Sequence, residues 1–326
     1  MVQAASAEFV HKSVLGDEAP DVLVTDVDGL YVDATFGRGG HTRRILSKLS
    51  ARGRVIAFDR DPEAVAAARS LTDPRFAIIH APFSQLAEAL SQRGVTRVTG
   101  VLMDIGVSSP QIDDAERGFS FRMDGPLDMR MDTDSGITAA QWLAKASVEE
   151  IEKVLKVYGE ERFAGRIARA LVERRGVRPF LRTADLAQAI AGAVPRSARD
   201  PKQHPATRSF QAIRIHINGE LDELSAALKA AGRILQPAGR LAVISFHSLE
   251  DRLVKHFLEV GAHPERAIDS RIALAACDMP HPWWQGVKRV KPCAAECEAN
   301  PRARSAVMRV AERTDLAWTE AAEGGL

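Results

Sequence analysis

Short apolar runs alternate with helical patterns over the first hundred residues of the chain. Apolar runs that lie between turn signals predict strands buried in a sheet. The predicted strands are Leu30–Phe36, Arg54–Phe58, Phe76–His80 and Val98–Ile105. Because a helical pattern separates each strand from the next, this part of the chain predicts a parallel, doubly wound α/β sheet.

The alternation stops at about Gln111, and no pattern of a buried strand follows before Gly219. Residues 113–134 are rich in Asp, Gly, Met and Arg and predict an irregular loop. Two helix starts come next, at Thr138 and Ser147, because each is followed three residues later by Gln or Glu in the capping-box pattern. Further helices are predicted over Glu160–Arg175, Thr183–Ala193 and Ala206–Ile217. This stretch predicts an all-helical insertion.

The strand pattern returns after the insertion. A helix over Glu220–Leu235 ends at the turn Pro237–Gly239, and Arg240–Phe246 is the fifth predicted strand. A final strand over Arg304–Glu312 is predicted to pair antiparallel at the end of the sheet, whereas residues 261–303 give no assignment. The predicted domains are a discontinuous core of residues 1–112 and 219–326, and an inserted helical domain of residues 113–218 for substrate recognition.

Composition narrows the class of protein. The chain has 326 residues, 44 basic against 43 acidic side chains, and 45% hydrophobic residues. These values are typical of a globular protein and exclude extended disorder or a polybasic tail. The three cysteines, Cys277, Cys293 and Cys297, complete neither a disulfide framework nor a zinc site, so no metal is expected. With no signal peptide or membrane span in the pattern, a cytoplasmic protein is predicted.

The segment from Asp33 to His41, DATFGRGGH, joins the first strand to a helix and predicts a ligand loop. Its glycines let backbone approach a ligand, and Asp59 at the end of the second strand can accept hydrogen bonds from ribose hydroxyls. The dinucleotide pattern G-x-G-x-x-G is not met, because Thr42 stands at the third glycine position. A carboxylate at Asp33 suits the cationic cofactor S-adenosyl-L-methionine (SAM), and a loop cap is its alternative role.

A second candidate segment leaves the fourth strand as Asp104-Ile-Gly-Val-Ser-Ser-Pro-Gln111. Ligands of open parallel sheets bind beyond the carboxyl ends of the strands, so Asp104 is expected to meet the cofactor. The residues that follow are expected to line the reaction site, with a plain turn as the alternative. Phe83 is a candidate to cover the edge of a purine, and its alternative role is to fill the core. His247 is a candidate residue of the substrate site, and its alternative is a structural role.

Basic residues concentrate in the predicted insertion. The stretches Glu160–Arg182 and Arg196–His216 each carry a net charge of +4. Arg162, Arg166 and Arg169 are spaced to share one helix stripe. In a nearly neutral chain these stretches predict a polyanionic partner, and a solvated helix face is the alternative.

With these motifs, the chain resembles the bacterial RsmH (MraW) family of SAM-dependent 16S rRNA cytosine-N4-methyltransferases. The resemblance covers about four fifths of the chain and rests on the following segments: His11–Leu15, DATFGRGGHT (33–42), AFDRDP (57–62), DIGVSSPQIDDAERGFSFRMDGPLDMRMD (104–132), YGEERFAGRIARA (158–170), HPATRSFQAIRIHIN (204–218), SFHSLEDRLVK (245–255) and NPRARSAVMRVAER (300–313). The chain departs from the family at Gly16 and over residues 261–298, which include all three cysteines.

The resemblance implies a class I (Rossmann-like) SAM methyltransferase core with an inserted all-helical domain. The implied substrate is the N4 amine of a cytosine, cytosine 1402 in the family, in 16S rRNA of the small ribosomal subunit. Neither DNA nor a membrane is an expected partner, and monomer and homodimer both stay open. Carried over by motif, the implied SAM-binding residues are Gly39, Gly40, His41, Asp59, Phe83, Asp104 and Gln111.

The implied catalytic segment is Ser108, Ser109 and Pro110. Hydroxyls and carbonyls there can accept hydrogen bonds from the N4 protons and raise the reactivity of that nitrogen. The cytosine must be unstacked to reach the site, and Phe119 and Phe121 are candidates to stack on it or to fill the core. Two rival functions remain. A nicotinamide oxidoreductase predicts the missing G-x-G-x-x-G turn, and a non-catalytic RNA-binding ribosome assembly factor predicts a damaged cofactor loop.

Overall fold

The computed structural model describes residues 13–267 and 279–319. The chain divides into two compact units. The unit that we call the sheet unit comprises Met1–Asp59, Glu63–Ile105 and Ser225–Leu326, and the helical unit comprises Arg60–Pro62 and Gly106–Leu224. Each unit is described by itself below.

A seven-stranded sheet forms the sheet unit. Its strands are β1 (Leu30–Asp33), β2 (Arg54–Asp59), β3 (Phe76–His80), β4 (Val98–Asp104), β5 (Leu235–Ser245), β6 (Trp284–Val290) and β7 (Val307–Arg313). They are ordered β3-β2-β1-β4-β5-β7-β6, with β1 to β5 parallel and β7 antiparallel to both of its neighbours. This topology is the predicted Rossmann-like α/β fold, in the class I methyltransferase order. The switch between β1 and β4 places the ends of those two strands at the crevice where such sheets bind ligands.

Four helices accompany the first four strands: α1 (Glu18–Leu23), α2 (Gly40–Lys48), α3 (Pro62–Ala68) and α4 (Leu86–Ser91). A buried core lies between helices and sheet, with Ile45, Leu46, Val55, Leu102 and Ile244 among its side chains. β4 is buried at six of its seven positions, as expected for a central strand of a parallel sheet covered on both faces.

The helical unit contains α5 (Ser109–Asp113), α6 (Ala139–Lys145), α7 (Val148–Gly159), α8 (Ala164–Val177), α9 (Thr183–Ala193) and α10 (Thr207–Asn218). The predicted capping boxes at Thr138 and Ser147 are confirmed, since both side chains accept the amide of the third helical residue. Helix α7 packs against α8 and α10 around a separate apolar core. The remaining helices are α11 (Glu220–Ile234), α12 (Ser248–Ala262) and α13 (Ala294–Ala299).

Several predicted boundaries are wrong. β1 ends at Asp33 instead of Phe36, and β5 begins at Leu235, before the predicted turn. That turn persists inside β5, where the pairing with β4 shifts register and Ala238 has a φ of 60°. The strand predicted over Arg304–Glu312 starts at Val307, and β6 lies outside it at the sheet edge.

Helix α8 begins four residues later than predicted. Glu160 ends α7 in the left-handed conformation, with a φ of 47°, so the predicted helix over Glu160–Arg175 cannot start there. Arg162 therefore precedes α8 and does not continue the helical stripe of Arg166 and Arg169. Among the residues that the structure describes, no helix combines the length and the apolar character of a membrane span.

Candidate active site

The loop between β1 and α2 has a backbone that only glycine adopts without strain. Gly37 and Gly39 have φ values of 56° and 75°, in the left-handed region. A Cβ atom on Gly39 would lie 2.7 Å from the ring of Phe36, whereas one on Gly37 would meet no atom within 4 Å. Gly39 caps α2, so the loop delivers the amino end of a helix to the carboxyl edge of the sheet. Within the loop the amide of Gly39 donates to the carbonyl oxygen of Phe36 at 2.7 Å.

Asp59 links this loop to the neighbouring strand. Its Oδ2 accepts a hydrogen bond of 2.7 Å from the amide of Gly37, so the carboxylate holds the loop in place. Phe83 opens a short 3₁₀ turn after β3, and its ring is half-buried. The register pairs Asp59 with His80 at the end of β3, so the two strands end side by side. The ribose and purine roles of Asp59 and Phe83 stay predictions.

Asp33 lies beneath the loop and is fully buried. Its Oδ2 accepts a hydrogen bond of 2.6 Å from the Thr42 hydroxyl, and its Oδ1 accepts one of 3.2 Å from the amide of Thr35. Burial raises the pKa of Asp33 to about 6, although both hydrogen bonds oppose this. These contacts favour the alternative role, in which Asp33 caps the loop and ties β1 to α2.

His41 and Asp104 form a buried acid–base pair beside the loop. His41 is 3% exposed, and its Nε2 lies 3.4 Å from Oδ2 of Asp104. Burial would lower the pKa of His41, but the carboxylates of Asp104 and Asp33 outweigh it and raise that pKa. Within residues 13–267 and 279–319, neither Nδ1 of His41 nor Oδ1 of Asp104 has a hydrogen-bond partner. Buried polar atoms without partners are costly, so this pair is suited to a polar or cationic ligand.

The Ser108–Gln111 segment lies in the helical unit and opens α5. The amide of Ser108 donates a 2.9 Å hydrogen bond to Oε1 of Gln111, so the Gln111 side chain braces the helix start. Ser109 is buried, whereas Ser108 and Pro110 are half-buried. The Nε2 of Gln111 donates to Asp61 Oδ2 at 2.7 Å. The predicted roles of these residues in binding and catalysis stay predictions.

Two aromatic candidates have core contacts. Phe119 is 9% exposed and lies 5.8 Å from the guanidinium of Arg117. Phe121 packs edge-on against Phe210 with ring centroids 4.8 Å apart, and its ring lies 4.6 Å from that of His204. These contacts favour the core role of both rings over stacking on a substrate base.

His247 has a structural role as well. Its Nδ1 accepts the amide of Glu250 and so caps α12, while its Nε2 lies 2.9 Å from Oε1 of the same residue. The structure thus favours the structural alternative. Of the cysteines, Cys293 and Cys297 carry free thiols, and Cys277 lies outside the described residues.

The basic stretches divide into paired and exposed arginines. Arg174 pairs with Asp185, Arg182 with Asp124, and Arg214 with Glu220. Arg162, Arg166 and Arg169 keep exposed side chains, and Arg162 lies over the ring of Phe163. Arg166 and Arg174 line an open groove of about 550 Å³ between α8 and α9. The exposed basic side chains of the two stretches stay candidates for polyanion binding, and Arg166 is the exposed one that lines this groove.

Comparison with known proteins identifies the family. Residues 8–314 match the MraW methylase family. The chain belongs to this family. It is 55% identical over 320 residues to Ribosomal RNA small subunit methyltransferase H of Ralstonia pickettii (strain 12D), covering 96% of this chain and 100% of the relative. The protein with the same name from Cupriavidus necator is 55% identical over 327 residues, covering 98% and 97%.

A solved structure, TrmN from Thermus thermophilus, is similar at a TM-score of 0.39 and 11% identity, covering 92% of this chain and 48% of TrmN. As a methylase of this family, the protein uses SAM as its cofactor. The residues fit SAM, because the unpartnered Oδ1 of Asp104 offers a charged acceptor to a cationic ligand beside an open glycine loop.

Sequence reasoning missed one feature of the helical unit. Asp61 and Arg117 form an ion pair of 2.9 Å in which both side chains are 5% exposed. Both residues lie in segments that carry the family resemblance, and this was the only signal in the sequence that could have pointed to them. Nothing in the local pattern pairs two side chains that lie 56 positions apart.

Proposed function

We propose that the protein methylates the exocyclic N4 amine of a cytosine in 16S rRNA of the small ribosomal subunit, in the cytoplasm. The observation that carries the proposal is identity over nearly the full length of both chains to a relative named for methylation of small-subunit ribosomal RNA. The cofactor loop with Asp59 and Asp104 supplies what a methylase requires. A non-catalytic assembly factor would have no need of the buried, unpartnered carboxylate oxygen of Asp104.

The sheet unit holds and orients the cofactor. SAM supplies an activated methyl group on a sulfonium, so the protein chiefly has to align donor and acceptor. Gly39 and Gly40 would line the cofactor site, Asp59 would accept hydrogen bonds from the ribose hydroxyls, and Phe83 would cover the adenine. The His41–Asp104 pair would hold polar atoms of the cofactor, and the carboxylate of Asp104 would favour a cation there.

The Ser108–Pro110 segment activates the nucleophile. The lone pair of cytosine N4 is delocalised into the ring, so the amine reacts slowly unless that nitrogen is drawn toward tetrahedral geometry. The Ser108 hydroxyl and the backbone carbonyls of the segment accept hydrogen bonds from the N4 protons and favour this geometry. The methyl group would pass from sulfur to N4, leaving S-adenosyl-L-homocysteine and a cationic N4 whose proton is acidic enough to pass to water, so the step needs no strong base.

Exposed arginines of the helical unit bind the RNA backbone. Arg162, Arg166 and Arg169 are exposed on or beside α8, and phosphate contacts of this kind supply affinity without base specificity. The cytosine is extruded from its stack before it reaches the catalytic segment.

The test is methyl transfer from labelled SAM to small ribosomal subunits that lack base methylation. Nucleoside digestion and mass spectrometry should detect N4-methylcytidine, and the Asp104→Asn variant serves as the control with weakened cofactor binding. Methyl transfer to a different base would retain the methyltransferase and overturn the N4-cytosine assignment. SAM binding without transfer to free rRNA, precursor particles or assembled subunits would favour the assembly factor.

A further inference from the structure

A buried hydrogen-bond network lies behind the catalytic segment in the helical unit. Oδ2 of Asp61 accepts two hydrogen bonds, one of 2.9 Å from Arg117 Nη1 and one of 2.7 Å from Gln111 Nε2. The same Gln111 side chain accepts the amide of Ser108 at 2.9 Å through Oε1. One amide group therefore connects the buried ion pair to the first residue of the catalytic segment.

The network is anchored at its far end to the irregular loop. Arg117 Nη2 donates to the carbonyl oxygens of Met131 and Arg130 at 3.0 and 3.2 Å. The amide of Met131 donates to Oδ1 of Asn218 at 2.7 Å, and Asn218 belongs to α10. Arg117 is thus held by backbone on one side and by Asp61 on the other. Its planar guanidinium makes the hydrogen bonds to Asp61 and to both carbonyl oxygens simultaneously, and a lysine ammonium cannot reproduce this geometry.

The chemistry of Asp61 decides how the Gln111 amide is oriented. An ionised carboxylate only accepts hydrogen bonds, so the NH₂ group of Gln111 must face Asp61. The carbonyl oxygen of Gln111 then faces Ser108 and accepts its amide. With an amide at position 61, one oxygen would have to accept from both Arg117 and Gln111, and an NH₂ group turned toward Gln111 would also face the Arg117 guanidinium, so the brace on Ser108 would be weakened. The charge of Arg117 compensates the buried carboxylate.

Stability alone is a poor explanation for this arrangement. Burying an ion pair carries a desolvation penalty, and apolar residues of similar volume often stabilise a protein as well or better. Asp61 and Arg117 are each 5% exposed, so this penalty applies in full to both. A role in holding the neighbouring segment explains why charged residues stand there.

We propose that Asp61 and Arg117 are positioning residues for methyl transfer, which orient Gln111 and thereby fix the Ser108–Pro110 segment. This inference rests on the proposed function for its chemistry. Displacing a reacting group by about 1 Å can lower a rate roughly 100-fold. We therefore expect Asp61→Asn and Arg117→Lys to lower the single-turnover rate by about that factor. The dissociation constant for the small subunit should stay within about threefold of wild type, since neither residue is among the proposed RNA-binding arginines.

A double variant separates positioning from a general loss of structure. Gln111→Glu alone sets two carboxylates against each other and should lower the rate at least as much as Asp61→Asn. Combining Asp61→Asn with Gln111→Glu removes this repulsion and keeps one carboxylate near Arg117, and the new carboxylate still accepts from Ser108. The double variant should recover to within about tenfold of the wild-type rate. A double variant as slow as Gln111→Glu would overturn the proposal and leave Gln111 with a direct contact to SAM.

The matched control is Arg309→Lys, which disrupts a partly buried ion pair. Arg309 donates to both oxygens of Asp251 at 2.6 and 3.0 Å, in the sheet unit and outside the proposed machinery. This variant should lose stability while keeping the single-turnover rate. The inference is wrong if Arg117→Lys and Asp61→Asn slow the reaction no more than Arg309→Lys does.

Amide hydrogen exchange gives a readout that does not depend on activity. The Ser108 amide should be protected in the wild-type protein, exposed to exchange in Asp61→Asn, and protected again in the double variant. Unchanged exchange in Asp61→Asn would overturn the positioning role. If the wild-type protein transfers no methyl group to small subunits, the proposed function fails, and the exchange pattern still decides whether Asp61 and Arg117 fix the segment.

Discussion

Replacing Asp33 by Asn is expected to stabilise the protein at neutral pH. The Asp33 carboxyl is fully buried, and its hydrogen bonds to Thr42 and Thr35 do not offset the loss of hydration. An asparagine has nearly the same shape. Its oxygen can accept the amide of Thr35, and its NH₂ group can donate to the Thr42 hydroxyl once that hydroxyl rotates.

The size of the effect follows from the pKa of Asp33. The pKa is about 6 in the folded state against 3.8 for the ordinary carboxyl, so the folded state binds the proton more tightly. Stability is therefore lost as the pH rises from below 4 through 6. The difference corresponds to about 3 kcal/mol at pH 7.5 and to about half of that at pH 5. Because Asn stays neutral, Asp33→Asn should gain this amount.

Urea unfolding of wild type and Asp33→Asn at pH 5 and pH 7.5 measures the difference. Asp73→Asn is a control that should change the stability in the opposite direction, because the hydrogen bonds from Arg75 lower the pKa of Asp73 to about 2. Removing the Asp73–Arg75 ion pair should lower the stability of the protein. A variant of Asp33 that is no more stable than wild type at pH 7.5, or equally stabilised at both pH values, would refute the account of a buried charge that the protein tolerates beneath its glycine loop.

Three further predictions concern the ligand-binding surfaces. Asp59→Ala should weaken SAM binding about 10- to 100-fold, because a charged hydrogen-bond acceptor is lost. Calorimetry that gives wild-type affinity would remove Asp59 from the cofactor site. Gly39→Ala should destabilise the protein more than Gly37→Ala, since a Cβ on Gly39 meets an aromatic ring at 2.7 Å and one on Gly37 meets nothing within 4 Å. The left-handed backbone alone costs about 1 kcal/mol at either position, and equal losses in urea unfolding would contradict the predicted clash. Reversing the charge of Arg166 and Arg169 together should weaken RNA binding and flatten its salt dependence while SAM affinity stays the same. An unchanged dependence of RNA affinity on salt concentration would show that both arginines only form a solvated helix face.

The strands of the central sheet could be predicted because their signal is local. Most of β1, β4 and β5 is buried, so their apolar runs stand out in the pattern. β6 lies at the sheet edge with only Trp284 buried, and its charged sequence WQGVKRV carries no such signal. An edge strand depends on its neighbour for pairing, which the sequence pattern does not report.

Helix boundaries were predictable where the local pattern sets them, and the predicted helix over Thr183–Ala193 matches α9 at both ends. The capping boxes at Thr138 and Ser147 involve side chains three residues apart and appear as predicted. The end of α7 depends on contacts that are distant in sequence. A Cβ on Gly159 would lie 2.8 Å from the carbonyl oxygen of Arg208, so the helix approaches α10 too closely for any residue but glycine there.

By itself, the sequence determined the α/β class, the glycine loop, the strand-end carboxylates Asp59 and Asp104, and the family, because each is written in contiguous residues. The tertiary structure decided that Asp33 is enclosed by threonines and that Asp61 pairs with Arg117 across 56 positions. Burial and charge pairing depend on distances in space and on the loss of water, and neither property belongs to a residue or its sequence neighbours alone.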